Sequence, residues 1–362
     1  MKNVHLVITD LFLPKDIVSE VCADLHLPAL EKMLARGAST KPLVLSSVEG
    51  SARTGEGGSL ENLLCELFGV PCQTSVPIAP ISAAFDGLGE GCWLRADPVH
   101  LRLQREQLVL LPDVAISADE AAQMCASLNL HFAGQGMEFF APHPQRWYLK
   151  LDRVPNIETV PLSQVAGRNV HGLLPKGGEA MRWHQSFNEI QMLLFAHPVN
   201  EAREARGELP VNSVWLWGGG CTENLLPQKA YDCASSDEVL AEMFAAAAGI
   251  PFAGWPEQWN GSLTLALSQR EREFSSDGRQ LLVWSGLRAA LQRGDLAAWR
   301  DALQGFETGY AQPLWQALRS GRIAQLQTDI LGGDGGRRVS LTRGDAWACW
   351  RRTKPLEKYS QA

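Results

Sequence analysis

The 362-residue chain lacks the features that define several large classes of protein. It has no apolar run long enough to cross a bilayer, and its first residues lack the apolar core and small-residue cleavage site of a secretory signal. Its 40 acidic residues outnumber its 33 Lys and Arg, so a net charge of -7 supplies no positive field for a nucleic-acid backbone. We therefore expect a cytoplasmic protein whose partner is neither a membrane nor a nucleic acid.

Cysteine and histidine are too scattered for the usual metal motifs. The eight cysteines include no CxxC pair, which favours reduced, mostly buried thiols over a disulfide framework or a zinc site. No histidine follows His197, so the C-terminal part of the chain supplies no imidazole ligand. The glycine run Gly218–Gly220 is followed by neither a GxGxxG nor a P-loop motif.

What the sequence does contain is the pattern of an α/β protein. Hydrophobic residues make up 45% of the chain, enough for one large domain that carries a smaller inserted one. Residues 4–9, VHLVIT, form a β-branched apolar run that ends at Asp10, and LPALEKMLARG then has helical spacing and stops at Gly37. This opening βα unit predicts a mostly parallel sheet flanked by helices.

A further core strand is predicted near the middle of the chain. Residues 211–217, VNSVWLW, are apolar and too few for a buried helix, and Gly218, Gly219 and Gly220 are expected to stop the strand. Glycines after a buried strand let the backbone approach a ligand closely, at the place where α/β proteins put their sites. The alternative is that the three glycines only make a turn.

Residues 93–185 have the pattern of a separate module. Two alternating strands, a helix and two further strands follow one another there, an order typical of an α+β module inserted in a larger sheet. We therefore predict an α/β core from residues 1–90 and 186–362, and a smaller inserted α+β domain at 91–185.

Three motifs carry a resemblance to known proteins. HPVNEAREARGELPVNSVWLWGGG, residues 197–220, resembles the matching stretch of archaeal-type cofactor-independent phosphoglycerate mutases, members of the alkaline phosphatase superfamily. WLRADPVHL at 93–101 and the tail LTRGDAWACWRR resemble more closely still the bacterial RpfE-type regulatory proteins, a branch of that group. The resemblance implies an alkaline-phosphatase-like α/β fold, whereas its chemistry must be tested residue by residue.

The resemblance also implies where catalytic groups would lie. An Asp after the first strand binds metal in the mutases, which indicates Asp10, and a serine nucleophile at a loop-to-helix junction indicates Ser59. Asp329 and Asp334 remain as possible oxygen ligands where the mutases have C-terminal Asp and His ligands. From the residues alone, Asp10 is equally the cap of a turn, and Ser59 a helix N-cap.

A second set of residues is expected to bind a small anion. The candidates are Arg53, Arg95, Arg168, His171, Gly218, Gly219 and Gly220. Arginine makes charge-assisted hydrogen bonds to carboxylate or phosphate, and exposed backbone N–H groups add to them. The alternatives are a structural salt bridge between Arg95 and Asp97, and ordinary surface positions for the other cations.

Two functional hypotheses follow. The preferred one is a mutase-derived fold that has lost its two metals, has no resident cofactor, and acts as a regulatory or binding protein for a small anionic or phosphorylated metabolite. The other is an active metal-dependent phosphomutase or phosphohydrolase in which Asp10, Ser59 and C-terminal carboxylates surround Mg²⁺ or Mn²⁺. The missing C-terminal imidazoles favour the first hypothesis, and the sequence identifies no protein partner.

Overall fold

The computed structural model describes residues 2–40, 58–72, 75–259, 278–332 and 336–360. They form two compact units, one of Met1–Phe68 with Gln228–Ala362 and the other of Gly69–Pro227. The second unit extends beyond the predicted module, 91–185, at both ends. The chain leaves the first unit at Phe68 and returns at Gln228, where the N–H of Gln228 donates to the carbonyl oxygen of Phe68 at 2.7 Å.

Strands and helices alternate through much of the chain. The strands are β1 (Lys2–Ile8), β2 (Ala38–Thr40), β3 (Cys92–Gln104), β4 (Gln107–Leu111), β5 (Met137–His143), β6 (Arg146–Leu151), β7 (Ser213–Cys221), β8 (Cys233–Ser236), β9 (Phe252–Gly254), β10 (Arg279–Trp284), β11 (Ile323–Ile330) and β12 (Arg337–Thr342). The helices are α1 (Lys15–Cys22), α2 (Pro28–Arg36), α3 (Leu60–Leu67), α4 (Ile78–Phe85), α5 (Ala118–His131), α6 (Leu162–Val165), α7 (Ala180–Phe195), α8 (Pro198–Ala205), α9 (Val239–Ala247), α10 (Arg288–Gln292), α11 (Leu296–Phe306), α12 (Gln312–Ser320), α13 (Arg343–Ala346) and α14 (Leu356–Ser360). None of the helices in the described ranges is both long enough and apolar enough to span a membrane.

The first unit is built on a seven-stranded sheet in the order β2-β12-β11-β1-β10-β8-β9. β1 lies at its centre with β10 and β11 parallel on either side, and β8 and β9 continue the parallel part. β12 and β2 form the opposite edge and are antiparallel to their neighbours. The predicted mostly parallel sheet flanked by helices is thus confirmed in the first unit.

One face of this sheet is covered by helices from both ends of the chain. Leu6 and Ile8 of β1 point into the main core with side chains of α2, α11 and α12. α2 is anchored by the buried carboxylate of Glu307, which accepts hydrogen bonds from the N–H groups of Ala29 (2.7 Å) and Leu30 (3.0 Å). Because these N–H groups have no partner within the helix, the carboxylate stabilises the start of α2.

The second unit is built on an antiparallel sheet in the order β4-β3-β6-β5, with β7 paired to β3. The two strand pairs and the intervening α5 occur in the predicted order. β7, which was predicted in the parallel core sheet, instead pairs antiparallel with β3. A short buried strand has the same apolar pattern in either kind of sheet, so the sequence of residues 211–217 could not distinguish the two.

The glycine run Gly218–Gly220 lies within β7 and does not stop it, contrary to the prediction. The register of pairing with β3 shifts opposite this run, which marks a β-bulge, and Gly218 has a φ of 71°. A Cβ on Gly220 would lie 2.8 Å from the Cβ of Pro77, just before α4. The bulge and the close packing of this segment therefore explain why glycine is needed here.

Cys92 and Cys221 face each other across β3 and β7 and form a disulfide. This corrects the prediction of reduced thiols at these two positions. The two residues are 129 positions apart, and only the pairing of the two strands brings them together. Of the remaining cysteines, Cys72 and Cys349 are exposed, and the others are buried or half-buried.

Candidate functional site

Polar side chains collect at one edge of the parallel sheet in the first unit. Asp10 follows β1, Asp237 and Glu238 follow β8, and Ser285 follows β10, with Arg288 shortly after it. Because β1, β10 and β8 are neighbouring parallel strands, the residues that follow them meet at one edge. Ligands of open α/β sheets bind outside this edge. We call these five residues the carboxyl-edge site.

Arg288 joins the ends of two strands. Its Nε donates to Oδ2 of Asp10 at 3.3 Å, and its Nη1 donates to Oε2 of Glu238 at 2.8 Å. The three side chains are between 20% and 28% exposed, so water screens these ion pairs less than it screens pairs on an open surface. The guanidinium therefore places one positive charge between the two carboxylates.

Burial shifts one carboxyl group of this site towards its protonated form. It raises the pKa of Glu238; the guanidinium of Arg288 opposes this shift, and Glu61 adds to it. Asp237 is exposed, and its Oδ1 accepts hydrogen bonds from the N–H (2.7 Å) and the hydroxyl (3.1 Å) of Ser285. The site therefore holds more carboxyl groups than cations, and burial favours the neutral form of Glu238.

Ser59 lies at the start of α3, close to the same charges. Its hydroxyl accepts a hydrogen bond from the N–H of Asn62 at 3.2 Å, so Ser59 is the N-cap of α3, as one of the two interpretations of the sequence had it. Glu61, in the first turn of α3, is buried and lies near enough to act electrostatically on both Glu238 and Arg288. α3 thus brings Ser59 towards the carboxyl-edge site while its hydroxyl serves the helix.

The backbone of Asp10 is held as firmly as its side chain. Its φ is 59°, a conformation that residues other than glycine adopt rarely. Its carbonyl oxygen accepts a hydrogen bond from Nε1 of Trp299 at 3.1 Å, and Gly332 packs so closely that a Cβ there would lie 3.3 Å from the Cα of Asp10. Such conformations persist where the surrounding structure fixes them, and they concentrate at functional sites.

Asp329 belongs to a separate buried network on β11. Its carboxylate accepts two hydrogen bonds from Arg338, both of 2.7 Å, and lies 2.9 Å from Nε2 of His5. Nδ1 of His5 is 2.7 Å from the hydroxyl of Tyr231, and Nη1 of Arg338 donates to Glu66 at 2.9 Å. Both oxygens of Asp329 are thus engaged in a structural network rather than at the carboxyl-edge site.

Arg95, in the second unit, is bound within the protein. It is buried and donates to Oδ1 of Asp97 from Nε (3.1 Å) and from Nη2 (2.5 Å). Its guanidinium lies over the rings of Tyr148 and Trp217, and Nε1 of Trp217 donates to the other oxygen of Asp97 at 2.7 Å. Arg95 and Asp97 thus form a buried salt bridge, which the sequence predicted as the alternative to a ligand-binding role for Arg95.

Arg168 and His171 are exposed and lie in the loop beside β4. The carbonyl oxygen of Arg168 accepts a hydrogen bond from Leu110, which pairs with Leu101 of β3. Leu101 is six positions from Arg95, which is about 20 Å along a strand. The structure therefore does not bring Arg168 and Arg95 together around one small ligand.

Ion pairs join the described side chains of the carboxyl-edge site. Across the described ranges, no three His, Cys, Asp or Glu side chains are grouped so that they could hold a metal ion. The two carboxylates at the ends of β1 and β8, Asp10 and Glu238, are bridged by Arg288 instead. Arg53 and Asp334, the other predicted site residues, lie outside the described residues.

Arg288 was missed by the sequence analysis, although a signal for it exists. It follows the buried apolar run of β10 by a few residues. A search for polar residues just beyond each such run would have found Arg288. β8 is the short segment CASS, which has no apolar run, so Asp237 and Glu238 carry no such signal.

Comparison with known proteins indicates one group of enzymes. No protein-family model matches the chain. Over 149 residues it is 28% identical to the 2,3-bisphosphoglycerate-independent phosphoglycerate mutase of Methanosarcina mazei. This alignment covers 39% of this chain and 36% of that enzyme. Over 61 residues it is 39% identical to the probable 2,3-bisphosphoglycerate-independent phosphoglycerate mutase of Geobacter sulfurreducens. This alignment covers 17% of this chain and 15% of that protein. The similarity thus spans no more than 36% of either relative's length.

A solved structure agrees with the fold over nearly the whole chain. The PH0037 protein of Pyrococcus horikoshii aligns with a TM-score of 0.54 at 15% identity, covering 98% of this chain and 92% of that one. The cofactor-independent phosphoglycerate mutase of Thermoplasma acidophilum aligns with a TM-score of 0.42 at 15% identity, covering 99% and 95%. The chain is an α/β protein whose fold is similar to that of the PH0037 protein. Its similarity in sequence is to phosphoglycerate mutases.

Proposed function

We propose that the protein is a phosphoglycerate-mutase-like protein of the RpfE regulatory type that has lost the two-metal site and binds a small anion. The observation that carries the proposal is the bridge that Arg288 makes between Asp10 and Glu238. The partial similarity to phosphoglycerate mutases supports the origin of the fold. The absence of histidine after His197 supports the loss of imidazole ligands.

An arginine at this position changes what the site can do. A pair of divalent metals would activate a nucleophile and stabilise the charge that develops on a transferring phosphoryl group. A guanidinium has a fixed charge and donates hydrogen bonds, but it does not coordinate the nucleophile. Ser59, with its hydroxyl in an N-cap bond, then has no activating group among its described contacts. The arrangement therefore favours binding over phosphoryl transfer.

The proposed ligand is a small anionic or phosphorylated metabolite. Arg288 is half-buried at the edge of the sheet, where a guanidinium makes strong hydrogen bonds to phosphate or carboxylate. Glu238, whose pKa is raised by burial, can take up a proton as the anion enters, which removes the repulsion between them. We therefore expect anion binding to strengthen as the pH falls.

Metal analysis and activity measurements test the loss of the metal site. Protein incubated with Mn²⁺ and then desalted is expected to retain substoichiometric metal and to show no phosphoglycerate mutase turnover above background. Ser59→Ala is expected to behave like the parent in that assay. Stoichiometric metal, together with turnover that Ser59→Ala abolishes, would overturn the proposal.

Thermal-shift measurements with phosphate and phosphoglycerate test the anion site. A ligand that binds only the folded state raises Tm, and Arg288→Ala is expected to remove that increase. The measurements are made in EDTA, so that metal binding by the freed carboxylates does not contribute. Arg293→Ala, at an exposed position shortly after Arg288, is the control and should respond like the parent. An equal response of all three proteins would refute binding at Arg288.

A metal-dependent phosphomutase or phosphohydrolase is the second candidate, because the similar curated proteins are phosphoglycerate mutases. In that case Asp10 and the other carboxylates would hold Mg²⁺ or Mn²⁺ after Arg288 moves away, and Ser59 would be the nucleophile. The metal analysis and the Ser59→Ala assay separate this candidate from the first.

A further inference from the structure

Two tryptophans stand out on the surface of the first unit. All twelve tryptophans of the chain lie in the described ranges, and only Trp347 and Trp350 are exposed, at 55% and 76%. Both lie in the segment that follows α13. Exposed tryptophan is uncommon in soluble proteins unless it contributes to binding, because its large apolar area is costly to leave in water.

Cationic residues lie near these tryptophans in the sequence, and one of them, Arg319, lies over the ring of Trp347. The group, which we call the Trp–Arg surface, consists of Trp347, Trp350, Arg319, Arg343, Arg351, Arg352 and Lys354. Its five cations are all exposed, and residues 343–354 contain a single acidic residue, Asp345. The guanidinium of Arg319 lies 4.6 Å from the ring centroid of Trp347. A local positive surface of this density contrasts with the net charge of -7 of the whole chain.

The segment that carries the Trp–Arg surface is fixed on the unit by several contacts. Nη1 of Arg36 donates to the carbonyl oxygen of Ala346 at 2.8 Å, and Arg351 donates to the carbonyl oxygen of Arg36. Beyond the surface, Leu356 is buried in the main core. A surface held in place before binding loses little conformational entropy when a partner docks.

We propose that the Trp–Arg surface is a docking site for an acidic segment of a partner protein that also presents an apolar side chain. Tryptophan and arginine are the residues that most often dominate protein–protein binding energy. The five cations supply charge complementarity to Asp and Glu side chains, which steers association and weakens it in salt. The exposed indole ring of Trp350 offers an apolar contact beside these cations.

The same surface fits a nucleic acid less well. Arg319 covers one face of Trp347, which leaves less of that ring for stacking a base. The acidic balance of the rest of the chain repels a long polyphosphate, whereas a short acidic peptide engages the cationic surface alone. The favoured partner is therefore a polypeptide.

Fluorescence anisotropy with a labelled peptide of alternating Glu, Asp, Phe and Leu tests the proposal. The full-length protein is expected to bind this peptide, and salt is expected to weaken binding. W350A and the double variant R352A/K354A, which leaves the anchoring Arg351 in place, are each expected to weaken it by about tenfold. R293A, which changes an exposed arginine of the same unit outside the surface, is the control and is expected to bind like the parent. Circular dichroism and Tm establish that each variant is folded.

Competing ligands provide the decisive arms of the experiment. The same peptide with Lys in place of Glu and Asp is expected not to bind. Binding of the acidic peptide that is unaffected by W350A and R352A/K354A, or no binding at all, would overturn the proposal. Tighter binding to oligo-dT or to phosphatidylserine vesicles than to the acidic peptide would also overturn it, in favour of a nucleic acid or a membrane surface.

Discussion

The Nε atom of Arg288 lies 3.3 Å from Oδ2 of Asp10, so a guanidinium holds the aspartate that follows the central strand. Arg288→Ala leaves Asp10 and Glu238 near each other without a counter-charge. We expect the free energy of unfolding to fall by about 1–3 kcal/mol, a range between exposed and fully buried ion pairs. We also expect the freed carboxylates to bind Mn²⁺ more tightly than in the parent. Denaturant unfolding in EDTA and in Mn²⁺ measures both effects.

Arg293→Ala is the matched control, and we expect it to change neither stability nor the response to Mn²⁺. If both variants bind Mn²⁺ with the affinity of the parent, the carboxylates at this edge are not latent metal ligands.

Asp329 is fully buried against Arg338 and His5. Asp329→Asn keeps the size of the side chain but removes the charge that both partners contact. Because the partly buried guanidinium of Arg338 then loses one of its two carboxylate partners and keeps only Glu66, we expect a loss of about 3 kcal/mol in the free energy of unfolding at neutral pH. Urea denaturation gives the value. Asp24→Asn, at an exposed position of the same unit, is expected to cost almost nothing.

The same network makes stability depend on acid pH. Burial alone would raise the pKa of Asp329, but hydrogen bonds from His5 and Arg338 more than offset this and hold it below its ordinary value. The folded state therefore favours the carboxylate. Its contribution is complete above the unfolded pKa of about 3.9 and is lost as the pH falls through the lower folded value. We expect the difference in stability between the parent and Asp329→Asn to shrink over that range, and a constant difference would contradict this assignment.

Gly220 packs against the segment before α4 more tightly than a side chain allows. A Cβ there would lie 2.8 Å from Pro77 and 3.1 Å from Pro80. Gly220→Ala is therefore expected to cost about 1–3 kcal/mol through overpacking. Gly172→Ala places its methyl group in open space in the same unit and serves as the control. Equal Tm values for the two variants would show that the contact relaxes without cost.

Thiol titration tests the disulfide between Cys92 and Cys221. In the native protein we expect the exposed Cys72 and Cys349 to react first. Denatured without reductant, the chain should show six thiols, because the disulfide holds two of the eight cysteines. After reduction it should show all eight. Eight thiols before reduction would show that the bond does not form in the protein as prepared.

Local sequence patterns were sufficient for most of the fold. The run ending at Asp10, the helix stopped by Gly37 and the N-cap at Ser59 each depend on contacts within a few residues. Hydrophobic period and capping chemistry report such contacts directly. The same patterns could not show that β7 joins β3, because partner choice between strands depends on residues far apart in the chain.

The candidate site was predictable only in part for the same reason. The resemblance indicates Asp10 through its place after the first strand, whereas its partner Arg288 is 278 positions away. The interaction of Arg95 with Asp97 is local, and the sequence predicted it as the alternative to anion binding by Arg95. The disulfide and the network around Asp329 connect distant positions, and neither leaves a trace in composition or spacing.

The hydrogen bond between Gln228 and Phe68 has a consequence for how such a chain evolves. Residues 69–227 depart from the first unit and return to it at adjacent backbone positions, which is the arrangement that tolerates the gain or loss of a whole domain. A short Gly-Ser bridge from Phe68 to Gln228 would restore a continuous α/β chain. Recombination could therefore exchange the inserted unit without changing the carboxyl-edge residues or the Trp–Arg surface. All of these residues lie outside residues 69–227.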